Sequence, residues 1–279
     1  MKKPIFLLTI FVLLQLCLYA QVGIGTATPA ASAKLDVSST TQGFLPPRLS
    51  ITQRNAIVNP AAGLMIWCSN CGIGGGEWQG FNGTTWVNIS GQETTVTIGN
   101  QQWMRENLDV LTYRNGDIIP QVTDQTAWAA LTSGAWCYYN NDVANGAIYG
   151  KLYNWYAVND PRGLAPTGWH VPSDAEWTTL ETTLGGAAVA GGKMKTTGTT
   201  RWYAPNTGAT NESGFAGLPG GYRNYNGSFF SVGSSGYWWS SSENGTVDAW
   251  YRYLGYNVGG ITRSNDYKLS GCSVRCLRD

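Results

Sequence analysis

The stretch Gly168-Trp169-His170-Val171-Pro172-Ser173-Asp174-Ala175-Glu176-Trp177 holds a complete helix start. Pro172 leads in and Ser173 can cap the first turn. Glu176, three residues on, can reach back to the cap's own N–H, so the two form a capping box. Trp177, Leu180 and Leu184 then recur at helical spacing, and Gly185-Gly186 stops the run. A short amphipathic helix over 174–184, entered from a turn, is the prediction.

Upstream, Asp124 to Leu131 reads as another helix, with Thr123 or Asp124 at its cap and Ala127, Ala129 and Ala130 favouring it. Thr95 to Asn100 reads as a strand ending in a turn. Beyond the capping-box helix only short strands and loops are legible, so periodicity alone gives a mixed, loop-rich chain.

Several blocks carry a resemblance. They are Trp103-Met104-Arg105-Glu106-Asn107-Leu108, Ala135-Trp136-Cys137-Tyr138-Tyr139, Tyr149-Gly150-Lys151-Leu152-Tyr153-Asn154-Trp155, Gly220-Gly221-Tyr222-Arg223, Trp238-Trp239-Ser240-Ser241-Ser242 and Ser273-Val274-Arg275-Cys276. With the capping-box stretch they resemble the Fibrobacter succinogenes major paralogous domain family over residues 92–279. The resemblance implies an α+β, C-type-lectin-like fold of two short helices and small sheets, in a secreted protein. It names no ligand.

Residues 1–20 read as a signal peptide: Lys2-Lys3, an apolar run from Ile5 to Leu18, and a cleavage site before Gln21. The run is short for a membrane span, and the expected destination is secretion or the cell surface. Residues 21–50 are too poor in apolar residues to form a core. They read as an extended stalk, or as a strand-rich segment ordered by self-association into a homo-oligomer. Residues 51–91 read as a small β module: a strand at Gly63 to Trp67, then a hairpin turning at Asn82-Gly83.

Without Lys2 and Lys3 the chain has 16 basic and 17 acidic residues, a charge of −1. That balance speaks against nucleic acid or an anionic membrane as partner. Charged residues are 13% of the chain, against 36 glycines and 13 tryptophans. Such a chain makes many turns and packs large rings, as extracellular loop-rich domains do.

Five cysteines follow the leader, and an oxidising environment favours pairing. Cys68 and Cys71 have redox or zinc spacing. With no second such pair and a single histidine, a local disulfide is favoured over a metal site. The further expectation is a Cys137–Cys276 bridge, Cys276 matching the family's structural cysteine, with Cys272 left as the odd thiol.

No catalytic set is legible. His170 has no accompanying nucleophile motif, and Asp174 and Glu176 are explained by the helix start. No calcium-loop pattern is present. The chain also resembles formylglycine-generating enzymes, which implies a copper-binding cysteine pair. However, Cys276 matches the structural cysteine of the paralogous family, and Cys272 falls where that family has Phe. The expectation is a protein that is not an enzyme and uses no cofactor or metal.

The region 237–267 carries the recognition signal, because binding loops use rings for rigid contact and amides for adaptable hydrogen bonds. The candidate ligand-binding residues are Tyr237, Trp250, Arg252, Tyr256, Asn257, Arg263, Asn265, Asp266 and Tyr267. Along 249–254 one alternating set is Trp250, Arg252 and Leu254, the other Ala249, Tyr251 and Tyr253. One set is expected to be buried and the other near the surface. Trp238 and Trp239 are expected in the core. The composition also resembles variable regions diversified by retroelements. The functional expectation is adhesion or binding to a glycan or protein on a cell surface. The alternative is a structural fibre component held by self-association.

Overall fold

The structure is a computed structural model that describes residues 21–69, 76–84, 86–89 and 95–279. The expected signal peptide lies outside the described residues. The chain divides between Pro46 and Pro47 into two units.

In the first unit, β1 (Val22–Ile24) and β2 (Leu35–Val37) pair in parallel, with Val22 opposite Leu35 and Ile24 opposite Val37. These four apolar side chains are between 42% and 55% exposed. Two short strands are marginal by themselves, and this pair buries little of its own apolar surface.

The second unit opens with β3 (Arg48–Leu49), α1 (Ile51–Asn55), β4 (Met65–Cys68), β5 (Glu77–Phe81) and β6 (Trp86–Asn88). The strands form one sheet in the order β3-β4-β5-β6. Asn82-Gly83 lies in the β5–β6 connection, and Phe81 pairs with Trp86 across it.

The remaining elements begin with β7 (Thr95–Ile98), β8 (Gln101–Met104), α2 (Gln125–Ala129), β9 (Trp136–Cys137), α3 (Val143–Tyr149), β10 (Leu152–Asn154), α4 (Trp155–Val158) and β11 (Trp169–His170). Helices α5 (Asp174–Thr183) and α6 (Ala187–Met194) follow. The chain then runs through β12 (Gly220–Arg223), β13 (Phe229–Val232), β14 (Ser235–Glu243), β15 (Asp248–Gly255), β16 (Ile261–Tyr267), β17 (Gly271–Cys272) and β18 (Leu277–Arg278). Eight strands make one sheet in the order β16-β15-β14-β12-β17-β10-β9, with β13 beside β12. A smaller sheet runs β11-β18-β8-β7. The class is α+β, with short helices and several sheets.

The capping box forms as read. Ser173 Oγ accepts from the Glu176 N–H, and Glu176 Oε2 accepts from the Ser173 N–H at 2.7 Å. Trp177 and Leu180 on α5 are fully buried. Asp124 caps α2 by accepting from the Ala127 N–H.

Helix α6 was not legible, because Gly191-Gly192 argues against a helix. Packing explains the glycines. A Cβ on Gly191 would stand 1.9 Å from the Gly260 carbonyl oxygen, and one on Gly192 would stand 2.3 Å from that of Gly208. The helix lies against two backbone segments that only glycine admits.

The core has two main clusters. Trp155, Trp169, Trp239, Tyr153 and Cys272 belong to one. Trp103, Trp177, Trp202, Phe215, Trp238 and Leu254 belong to the other, with side chains of α5 and α6. Trp238 and Trp239 are adjacent on β14 and therefore point to opposite faces, one into each cluster. Both are fully buried, as expected.

The expected Cys137–Cys276 bridge is corrected: both thiols are free and buried. Cys137 packs with Trp128, Ala135, Tyr139 and Leu152, whereas Cys276 sits in the first main cluster. The sheet carries them to separate places. Burial pushes both thiols up to about 12, which withholds the thiolate that disulfide chemistry needs. Cys272 is a third free, buried thiol. Cys68 is buried and carries no free thiol; Cys71, its expected partner, lies outside the described residues.

Candidate functional site

Strand β15 decides where recognition chemistry can sit. It lies between β14 and β16, so its two faces are set by that pairing. Arg252 pairs with Trp238 on one side and Arg263 on the other; Leu254 pairs with Ile261, and Trp250 with Asn265. Cross-strand partners share a face. This face therefore carries Trp250, Arg252, Leu254, Arg263 and Asn265, and it packs against α5 and α6.

Ion pairs lock it there. Arg252 is fully buried, contacts Glu181 through Nε, and donates to Asp174 Oδ1 at 2.7 Å. Arg263 donates to the same Asp174 oxygen at 2.9 Å, and its guanidinium lies 3.3 Å from the centroid of the Trp250 ring. Burial works to raise the Asp174 carboxyl, but Arg263 and Arg252 outweigh it and hold the group below its usual range. The expectation that Arg252 meets a ligand is corrected. It has no exposed surface, and its guanidinium is spent on two helix carboxylates.

The opposite face is different. Tyr237 pairs with Tyr253, Trp239 with Tyr251, and Tyr251 with Ser264. On β12, Tyr222 pairs with Phe230 of β13. The rings form a continuous row. Centroids are 5.8 Å apart for Tyr222–Phe230, 4.7 Å for Tyr222–Tyr237, 5.6 Å for Tyr237–Tyr253 and 5.7 Å for Tyr237–Tyr251. One end of the row meets buried Trp239, 6.1 Å from Tyr251. At the other end Phe230 is 45% exposed, and all four tyrosines are only partly buried. Gly221 allows this assembly. Its φ is +65°, and a Cβ there would stand 2.4 Å from the Phe230 carbonyl oxygen.

Burial raises the hydroxyls of Tyr222, Tyr237 and Tyr251. These hydroxyls already meet side chains of the chain: Tyr222 meets Asn224, Tyr237 meets Ser231 and Ser235, and Tyr251 meets Ser264. Asp266, beside Ala249 on this face, has its carboxyl raised by burial.

The other expected ligand residues scatter. Tyr256 is partly buried against the second cluster and meets Tyr203 edge-on at 6.1 Å. Asn257 is exposed beyond the end of β15. Asn265 donates to Asp248. Tyr267 is 47% exposed and lies against Tyr225 at 4.6 Å. Of the expected set, only Tyr237 and Asp266 lie on the tyrosine face. Tyr222, Phe230, Tyr251 and Tyr253 went unpredicted as a group. Their signal was the second alternating set of β15, joined by a tyrosine from a family block.

Two clefts among the described residues lie apart from the tyrosine row. One of about 500 Å³ is lined by Arg114, His170, Ser173, Glu176 and Ser241. His170 is already held there between Glu176 Oε1 at 2.9 Å and Asp279 Oδ1 at 2.8 Å. Burial works to lower the imidazole, but the two carboxylates outweigh it and raise it. A cleft of about 640 Å³ is lined by Glu106, Asn107, Asp109, Tyr149 and Arg275. Its central Asn107 is engaged at both ends, accepting from Trp238 and Arg275 and donating to Tyr149 and Ser273. Among the described residues no group of three or more His, Cys, Asp or Glu side chains converges as a metal site would.

A family of phage-tail-like trimerisation regions matches residues 23–102. No curated protein and no solved structure matches the chain, so the C-type-lectin-like relationship stays an expectation. No helix of the described residues is long and apolar enough to cross a membrane. The Fibrobacter succinogenes major domain matches residues 96–278, two-thirds of the chain and the whole of the sheet that bears the tyrosine face, and the chain belongs to that family.

Proposed function

We propose that this chain is a secreted or cell-surface binding protein that self-associates through its N-terminal segment and presents a recognition face on its C-terminal domain. The partly exposed tyrosine row carries this reading. Rings held by a rigid sheet give contact area at low entropy cost, and their hydroxyls give direction. Family membership supports a surface-associated domain. The partner is a glycan or a protein on a cell surface. The domain is not an enzyme in this reading, which fits buried thiols held far above thiolate range and a histidine engaged by two carboxylates.

Self-association is supported by the exposed apolar residues of β1 and β2 and by the trimerisation match. The same observations favour a second reading, a fibre component with no separate ligand. One experiment separates them. The full chain is sized by light scattering and then applied to an array of glycans and surface proteins. The binding reading expects a trimer that captures an array member through the tyrosine face. A trimer that captures nothing favours the fibre, and a monomer removes the self-association from both.

A further inference from the structure

We propose that the tyrosine face of the eight-stranded sheet is a stacking platform for a neutral oligosaccharide, formed by Tyr222, Phe230, Tyr237, Tyr251 and Tyr253 with Ser264 at its edge. The inference rests on the binding reading above and assigns that reading a ligand class and a site.

Shape comes first. Strands lie about 4.8 Å apart, so the span from β12 to β16 is about 15 Å. That is the reach of a few linked sugar rings. The row is continuous, each tyrosine ring lying within 6.3 Å of another. A pyranose ring offers an apolar face of C–H bonds and a rim of hydroxyls. An aromatic row with hydroxyls at its edges answers both.

Charge comes second. The register puts no lysine or arginine on this side of β14, β15 and β16. The arginines of the neighbouring positions, Arg252 and Arg263, point to the opposite face and are paired with Asp174. An acidic sugar or a phosphate would find no cation. Asp266 is partly buried, and its oxygen already accepts from the Tyr267 N–H at 2.7 Å. The platform is polar and carries no cation on these strands, while Asp266 and Glu243 lie beside Ala249 at its end.

Self-covering by a second copy fits less well. The apolar surface suited to a second copy lies instead on β1 and β2.

The test uses the full chain and calorimetric titration with cellohexaose, laminarihexaose and N-acetylchitohexaose, with oligogalacturonate as the charged comparison. At least one neutral hexasaccharide should bind, and more tightly than oligogalacturonate. Tyr253→Ala should weaken it about tenfold, equivalent to about 1.4 kcal/mol, with the near-ultraviolet circular dichroism unchanged. Tyr253→Phe should keep most of the affinity, because the ring remains. If Tyr253→Ala does not fold, Tyr222→Ala at the other end of the row serves in its place. The inference is overturned if none of the three neutral sugars binds at millimolar concentration, if oligogalacturonate binds as well as they do, or if affinity survives the folded ring deletion. A protein captured on the array and released by Tyr253→Ala would overturn the sugar assignment and leave the binding reading intact. An array that captures nothing removes both.

Discussion

The two faces of β15 have nearly the same vocabulary and different work. One presents Trp250, Arg252 and Leu254, the other Ala249, Tyr251 and Tyr253. On the first, every charge is answered by helix α5, so the residues that look most like binding anchors are structural. On the second, Tyr222, Tyr237 and Tyr251 rest on the first core cluster, touch one another and Tyr253, and stay partly exposed. Aromatic and arginine content therefore marks this strand as important without saying for what. The neighbour across the face decides it.

Removing an anchor from the helix-covered face should be the costliest change. Trp238 shares that face with Arg252 and is fully buried. Trp238→Ala should lose about 3–5 kcal/mol of stability by chemical denaturation. A much smaller loss would contradict the place of Trp238 in the second core cluster.

Helix α5 supplies the carboxylates, so weakening its start probes the same face more gently. Ser173→Ala removes the cap and should cost about 1 kcal/mol. The expected readout is a lower melting temperature with the fold retained. An unchanged melting temperature would separate the capping box from the locking of Arg252.

His170 tests the same helix start through pH. Its folded pKa is raised above the usual 6.5 by Asp279 and Glu176, against the opposing effect of burial. Its contribution is thus fully present below 6.5 and is lost as pH rises through the folded value. Glu176 has the opposite sense. Burial works to raise it, but Ser173 and His170 outweigh that and hold it below 4.5, so its contribution is lost only in acid. The stability difference between the parent and His170→Gln should therefore be largest in mildly acidic solution and fade toward alkaline pH. The groups are about one-third exposed, so the effect should stay below about 1 kcal/mol. A difference that grows with pH would contradict the ion-pair assignment.

Much of this was readable from the residues alone. The Ser173–Glu176 box, the Asp124 cap, the Asn82-Gly83 hairpin and the burial of Trp238 and Trp239 all follow from local rules. What was not readable depends on partners distant in sequence. Arg252 meets Asp174 and Glu181 from 78 and 71 residues away, and nothing local announces those contacts. Tyr222 joins the tyrosine row from a different strand, through a glycine that lets the strands close up. Helix α6 looked broken by glycines that its packing requires. The Cys137–Cys276 bridge failed for the same kind of reason: spacing cannot show that a sheet sends two cysteines into separate clusters.

Both faces of β15 meet core, but the Arg252 face is closed over by α5, whereas the proposed recognition face keeps its tyrosines partly exposed. The most direct test is urea unfolding of Arg252→Ala and Tyr253→Ala side by side in the full chain. Arg252→Ala leaves two helix carboxylates short of a partner and should lose about 3 kcal/mol. Tyr253→Ala removes a partly buried ring and should lose about 1 kcal/mol or less. Equal losses would contradict this difference, because Tyr253 would then be as much a part of the core as Arg252.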